Sequence, residues 1–334
     1  MKINKLLFMP ALFVLSLTAC NTSGARHPVS DYKAGELSVN ANGGFKILQL
    51  CDIHLSNKDN QQLQFDFLDL TISEAKLKGA NLIVLDGDTF TFADKATAGR
   101  LFDFINSYDI PWTFTFGNHD EQCYFSVTWL TSFLNSYGKN CVFKDVQGDD
   151  VNGNANFYID INNSNSTTFE RIFIFDSNRY YFSDYMGYDY IKQDQIDWYE
   201  RVVEGTSAAD SIAFFHIPLP EFSDAYAAYK SGDPNVEYMG GTMEEKDVSA
   251  PKFNSGLFNK MKELGSTKAV FCAHDHQNDF AIKYEGIILS YGTNSTDRIY
   301  SSSYMIGGQL ISIDSSHNIS LERIHHTYSE LEER

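Results

Sequence analysis

The chain has 334 residues, 43% of them hydrophobic and 14% aromatic, enough to bury a large core as one α/β domain of roughly 250–300 residues. Its 26 basic and 44 acidic residues leave a formal net charge of −18. That balance argues against binding that neutralises phosphates with Lys and Arg, so no nucleic-acid partner is expected.

The amino terminus reads as a targeting segment. Lys2 and Lys5 form a basic region ahead of an apolar run, Leu6 to Leu17, that is too short to span a bilayer comfortably. Leu17-Thr18-Ala19-Cys20 resembles a bacterial lipobox. On this reading residues 1–19 are a lipoprotein signal peptide and Cys20 carries the lipid. The alternative is an ordinary signal peptide cut near Ala19. Residues 20–44, rich in Ser, Asn and Gly, are expected to be a flexible tether, and residues 45–334 the folded domain. The location implied is extracytoplasmic, anchored to a bacterial membrane.

Cys51, Cys123, Cys141 and Cys272 remain, too few for a disulfide framework in a domain of this size. Cys51 and Cys272 each end an apolar run and read as buried hydrophobes. Cys123 and Cys141 flank a helical segment, and the sequence leaves open whether they pair.

In chain order, Phe45 to Asp52 reads as a strand, and Gln61 to Lys78 as a helix with apolar residues at helical spacing and Gly79 as its stop. Asn81 to Leu85 is a strand, Lys95 to Tyr108 a helix, and Pro111 to Phe116 a third strand. This rhythm implies right-handed βαβ units. Asn154 to Ile161 and Thr168 to Phe175 read as antiparallel strands around the loop Asn162-Asn-Ser-Asn-Ser166. A helix (Gln193 to Val203), a strand (Ser211 to Phe215), a helix (Phe253 to Leu264) and a strand (Lys268 to Cys272) follow. The tail is strand-like at 279–284, 286–290, 309–314 and 319–325. The pattern predicts one α/β domain with two sheets.

The informative residues stand just past the apolar runs. Leu82-Ile-Val-Leu85 leads straight into Asp86-Gly87-Asp88, as a buried parallel strand would on reaching the rim where α/β sheets bind ligands. The first strand delivers Asp52-Ile-His54, the third Gly117-Asn118-His119-Asp120, the fourth His216, and the fifth His274-Asp275-His276. Carboxylate, imidazole and amide oxygen suit Mn, Fe, Zn and similar cations. Each fragment alone has an ordinary structural explanation: a lone His after a strand is usually just hydrogen-bonded, and Gly-Asn is a common turn. Five together, with no counter-charge, would be costly to bury unless metal completes them.

The order Asp-x-His, Gly-Asp, Gly-Asn-His-Asp, His, His-x-His resembles the calcineurin-like metallophosphoesterases, from Lys46 to the carboxyl terminus. Phe214-Phe-His-Ile-Pro-Leu-Pro-Glu221, Pro251-Lys-Phe-Asn-Ser-Gly-Leu257 and Phe271-Cys-Ala-His-Asp-His-Gln-Asn-Asp-Phe280 are similar to the short purple-acid-phosphatase-like branch. The resemblance implies a four-layer α-β-β-α sandwich, two mixed sheets flanked by helices. It implies two divalent or trivalent metal ions (Fe, Mn or Zn), the first held by Asp52, His54 and His276 and the second by Asn118, His216 and His274, with Asp88 bridging. It also implies that a metal-bridging hydroxide attacks phosphorus, while His119 contacts the phosphate and protonates the leaving alkoxide. Asp120 or Asp86 is expected to orient His119 or a ligating imidazole. Two departures stand out. Ala273 replaces the usual glycine before His274, and Thr91 stands where purple acid phosphatases carry a metal-binding Tyr, so no tyrosinate–iron colour is expected.

Three segments are candidates for reading the substrate. Asn178 to Tyr190 holds Tyr180, Tyr181, Tyr185, Tyr188 and Tyr190 beside Arg179, and either meets substrate or packs on the body. Phe222 to Pro251 reads as a long loop made acidic by Glu237, Glu244 and Glu245. Asn254, Ser255 and Arg298 are further polar candidates. The leading expectation is a lipid-anchored phosphomonoesterase of small phosphate esters. The alternatives are a phosphodiesterase acting on nucleotides or phospholipid headgroups, and a non-catalytic surface lipoprotein on the same scaffold.

Overall fold

The computed structural model describes residues 26–332 apart from 59, 149, 183–185, 208 and 298–304. Its strands are β1 (Lys33–Ser38), β2 (Phe45–Leu50), β3 (Leu82–Asp86), β4 (Trp112–Thr115), β5 (Phe157–Asn162), β6 (Thr168–Ile174), β7 (Tyr180–Phe182) and β8 (Met186–Tyr188). They continue with β9 (Asp210–Phe214), β10 (Glu237–Tyr238), β11 (Thr267–Cys272), β12 (Ala281–Tyr284), β13 (Ile287–Tyr291), β14 (Ile306–Ile313) and β15 (Ile319–His326). The helices are α1 (Gln61–Leu77), α2 (Lys95–Asn106), α3 (Val127–Tyr137), α4 (Gln193–Gly205), α5 (Glu221–Ser231), α6 (Leu257–Leu264) and α7 (Tyr328–Glu332).

One large sheet has eight strands in the order β1-β5-β6-β9-β11-β13-β12-β10 and a second has five, β15-β14-β2-β3-β4, beside a separate two-stranded ribbon, β7-β8; the first two are the layers of the fold. Both are mixed. β2, β3 and β4 are parallel, as are β6, β9, β11 and β13, while β14 and β15 run against their neighbours. Period-two alternation sorts the large sheet's side chains. Ile172, Ile174, Ile212, Phe214, Ala269 and Phe271 face the small sheet. Their neighbours Phe173, Phe175, Ala213, Phe215, Val270 and Cys272 face α4, α5 and α6. On the far side, α1 packs on β14 and β15, and Phe102 of α2 stacks on Trp112 of β4 with centroids 5.1 Å apart. The result is the four-layer sandwich that the family resemblance implies.

Leu82, Ile83, Val84 and Leu85 are all fully buried. Each such side chain contributes about 1.5–3 kcal/mol. That anchors the strand whose end must hold a strained carboxylate.

Three expectations need correction. The tether predicted over 20–44 is ordered from Val29: a 3-10 turn (Val29–Tyr32) leads into β1, which pairs in parallel with β5. Tyr32 is fully buried against Trp198, and Lys33 meets Asp160 at 2.9 Å. The Lys33–Ser38 pattern is weak because β1 is a half-exposed edge strand held mainly by backbone bonds. The predicted loop from Phe222 to Pro251 contains α5 and β10, with Phe222 and Ala225 sealing α5 to the core. The helix expected from Phe253 starts at Leu257, because Asn254 uses its side chain to accept from Gly256 N–H at 2.8 Å and to donate to Glu221 at 2.7 Å. Cys20, the apolar leader and Arg298 lie outside the described residues.

Candidate metal centre

The carboxyl ends of β2, β3, β4, β9 and β11 converge, and there the backbone leaves its preferred regions. Asp52 (φ 53°), His54 (φ 48°), Asp88 (φ 48°) and His274 (φ 80°) all lie in the left-handed region. Each such non-glycine residue costs roughly 1–3 kcal/mol, strain that collects at functional sites. Cross-strand bonds hold the turns: His54 N–H donates to Asp88 O at 2.8 Å, and His274 N–H to the Asp52 carboxylate at 3.1 Å. His119 N–H donates to Asp88 Oδ1 at 2.7 Å. Two glycines permit the approach. A Cβ on Gly87 would lie 2.5 Å from the His216 ring, and one on Gly117 would lie 2.3 Å from Asp88 N and Oδ1.

Six side chains form two buried clusters, Asp52/His54/His276 and Asp88/His216/His274, with ligand-type atoms within 4.8 Å of one another in each. The clusters adjoin. Asp88 Oδ2 lies 3.1 Å from His216 Nε2 of its own cluster and 3.7 Å from His54 Nε2 of the other. Asp52 Oδ1 is 3.4 Å from His276 Nε2. All six are at least 95% buried.

The charges are frustrated. Burial pushes the His54 and His274 imidazoles down to about 3, with His276 and His216 respectively adding repulsion. Burial also opposes charge on His216, but Asp88 and Asp52 pull it up to about 10. Against the same burial, His216 holds the Asp88 carboxyl below its usual range, and His276 does so for Asp52. Two buried carboxylates held ionised beside the neutral imidazoles of His54 and His274 gather ligand atoms and negative charge in a dry site, which is the electrostatics of a cation site.

The orphaned atoms agree. Asp52 Oδ1, Asn118 Oδ1 and His274 Nε2 are buried without a hydrogen-bond partner, although buried polar atoms are nearly always satisfied. The Asn118 amide nitrogen donates to the Tyr180 hydroxyl at 3.0 Å, which leaves its oxygen as the ligand-type atom. Among the imidazoles, His54 Nδ1 lies 2.7 Å from Thr91 Oγ1, and His216 Nδ1 3.0 Å from Asp86 O. Such partners fix ring and tautomer so that Nε2 faces the site. The two clusters fit a dinuclear centre.

The other expected residues divide. His119 sits beside the first cluster, its ring centroid 5.2 Å from that of His54, and its Nδ1 lies 2.8 Å from Gln122 Oε1. Gln122, and neither Asp120 nor Asp86, meets the His119 ring, while Asp86 orients the ligating His216 imidazole through its backbone carbonyl. Asp120 accepts from Phe90 N–H and Gly117 N–H and shapes the turn. The Asp86 carboxyl accepts from Gln49 at 2.6 Å, and burial lifts it to about 7. Arg179 pairs with Glu121, while Asn254 and Ser255 serve the start of α6. The four cysteines are free thiols, Cys51 and Cys272 buried as expected. Gln122 and the hydrogen-bonding roles of Tyr180 and Thr91 carry no signal in the sequence, because no spacing rule marks them.

Comparison with known proteins places this geometry. The family model for calcineurin-like phosphoesterases matches residues 45–278. The "Probable inactive purple acid phosphatase 29" of Arabidopsis thaliana is 28% identical over 295 residues, spanning 77% of this chain and 73% of that one. "Phosphatase DCR2" of Saccharomyces cerevisiae is 29% identical over 298 residues, spanning 78% of this chain but 50% of its own. Among solved structures, a dimetal phosphatase from Danio rerio shares the fold with a TM-score of 0.54 at 12% identity, over 85% of this chain and 99% of that one. The chain belongs to the calcineurin-like phosphoesterase family of metal-dependent phosphoric ester hydrolases.

Proposed function

We propose that the chain is a phosphomonoesterase acting on small phosphate esters outside the cytoplasm. The observation that carries this reading is the pair of clusters meeting at Asp88, with His119 beside them in neither cluster. Asp52, His54 and His276 would hold one cation and Asn118, His216 and His274 a second, with Asp88 between the clusters; bound there, the cations would supply an activated water and offset charge on the phosphate oxygens. His119 protonates the leaving oxygen, and Gln122, by engaging Nδ1, leaves Nε2 to deliver that proton. Water's oxygen ends on phosphorus, the ester P–O bond breaks, and the alcohol departs with the proton.

The net charge of −18 and the pairing of Arg179 with Glu121 suit a compact substrate better than a polyanion such as nucleic acid. The location rests on Lys2, Lys5, the apolar run and Cys20, whose lipid would be the membrane partner. No helix among the described residues is long and apolar enough to cross a membrane.

The test is hydrolysis of p-nitrophenyl phosphate beside its bis(p-nitrophenyl) diester. Protein beginning after Cys20 would be stripped of metal and reloaded with Mn, Zn or Fe. Metal-dependent release with a monoester preference, lost in Asp88→Asn, is expected. A diester preference would move the reading to phosphodiesterase, and two bound metals without turnover of either ester would overturn it. For the anchor, full-length protein should fractionate with membranes and Cys20→Ser should not.

A further inference from the structure

The ribbon β7–β8 pairs Tyr180 with Tyr188, Tyr181 with Gly187, and Phe182 with Met186. Alternation therefore puts Tyr180, Phe182, Met186 and Tyr188 on one face and Tyr181 on the other. The back face is anchored: the Tyr181 ring lies 5.6 Å from Phe253 and 6.3 Å from Tyr190, and Lys192 sits over Tyr190 at 3.5 Å. The front face begins at the metal centre. The Tyr180 hydroxyl accepts from Asn118, and the Tyr188 ring stands edge-on to His274 with centroids 4.3 Å apart. Tyr180 and Tyr188 lie nearly parallel at 6.0 Å, and Phe182 follows Tyr180 at 5.8 Å. Farther out, Phe182 is 69% exposed and Met186 82%.

Four uncharged side chains, three of them aromatic, thus run without interruption from two metal-site residues to open water. A paired Phe and Met at the surface expose apolar area that an isolated fold would gain by covering. Resting on the phosphoesterase reading above, we propose that this face binds the organic group of the ester and selects aromatic ones, so that the preferred substrates are phosphate monoesters of aromatic alcohols. With phosphate at the metal centre and its ester oxygen within reach of His119, the organic group would extend past Asn118 and His274 to where Tyr180 and Tyr188 begin. A ring attached there stacks on tyrosine and extends toward Phe182 and the Met186 thioether, both of which pair well with aromatic faces and edges. A charged organic group would meet no complementary charge among the described residues of this face.

The experiment separates binding of the organic group from leaving-group reactivity by using phosphonates, which carry the same anionic head and are not hydrolysed. Binding of phenylphosphonate and methylphosphonate to metal-loaded protein is measured by calorimetry, for wild type, Phe182→Ser and Met186→Ser. Both positions are exposed, so serine should leave the fold intact. A preference for the phenyl compound of about tenfold, falling to about twofold or less in either variant, is expected from one or two aromatic contacts. Equal affinities, or a preference that survives both substitutions, would overturn the proposal. If p-nitrophenyl phosphate is still hydrolysed in that case, the phosphoesterase reading stands. A retained phenyl preference with no ester turned over would instead sink the activity and keep the ribbon as a binding surface. Variants that lose binding to phosphatidylglycerol–phosphatidylethanolamine vesicles while keeping the phosphonate preference would assign the face to a membrane and overturn the proposal.

Discussion

The Thr91 hydroxyl lies 2.7 Å from Nδ1 of His54, with both residues buried. The position that the resemblance to purple acid phosphatases would give a metal-binding Tyr here supports a ligand-type imidazole from behind. For His54 Nε2 to bind a cation, Nδ1 must keep its proton and Thr91 must accept it. Thr91→Val preserves shape and removes the acceptor. Affinity for one of the two metals should fall by roughly 10–100-fold, with the second unchanged. Metal titration followed by elemental analysis reads this directly, and two equally tight metals in the variant would remove Thr91 from the site.

Gly117→Ala should be far more damaging than its size suggests. The added methyl would sit 2.3 Å from Asp88 N and Oδ1, and neither a backbone nitrogen nor a clamped carboxylate moves away easily. Asp88 must shift, so metal content should drop from two per chain to one or none, with a stability loss of about 1–3 kcal/mol. Gly99→Ala is the control: that Cβ meets nothing within 4 Å on α2 and should stabilise by up to about 1 kcal/mol. Denaturant melts beside metal analysis would separate the two effects.

His119→Ala should retain two metals yet lose roughly 10²–10⁴ in kcat, the range expected when a positioned proton donor is removed. The loss should be largest for alkyl phosphates and smallest for p-nitrophenyl phosphate, whose leaving group needs little protonation. An equal loss for both esters would assign His119 to phosphate positioning instead of proton transfer.

Glu170 offers a pH test far from the metals. Burial lifts its carboxyl from 4.5 to about 7, against the opposing hydrogen bond to His317. A raised carboxyl pKa means the folded state holds the proton where the unfolded chain has released it. The stabilisation is therefore complete below about pH 4.5 and is lost as pH rises through about 7, a change on the order of 3 kcal/mol. Other buried acids titrate nearby, so the measurement is the difference between wild type and Glu170→Gln. That difference should slope across this window, and parallel stability curves would contradict it.

The ligand residues were legible in the sequence because a buried parallel strand must be apolar throughout and can turn polar only at its rim. Leu82 to Leu85 ending at Asp86-Gly87-Asp88 shows this plainly, and Ala269 to Cys272 before His274 repeats it. One α/β domain with two sheets followed from the same runs, and the four layers from the family resemblance. β1 and α5 were hidden because each leans on a neighbour for stability and carries little period of its own.

What the sequence determined is therefore which side chains reach the rim and what chemistry they can hold. Tertiary structure decided how they are held. Thr91 meets His54 across 37 residues and Tyr180 meets Asn118 across 62, separations that appear in no local pattern. Four ligand positions adopt left-handed backbone that only the surrounding bonds make tolerable. Gln122, not an acidic neighbour, engages His119 because the turn spends Asp120 on its own backbone. Local propensity acts over a few residues, whereas Thr91 and Tyr180 reach their partners only once the chain has folded.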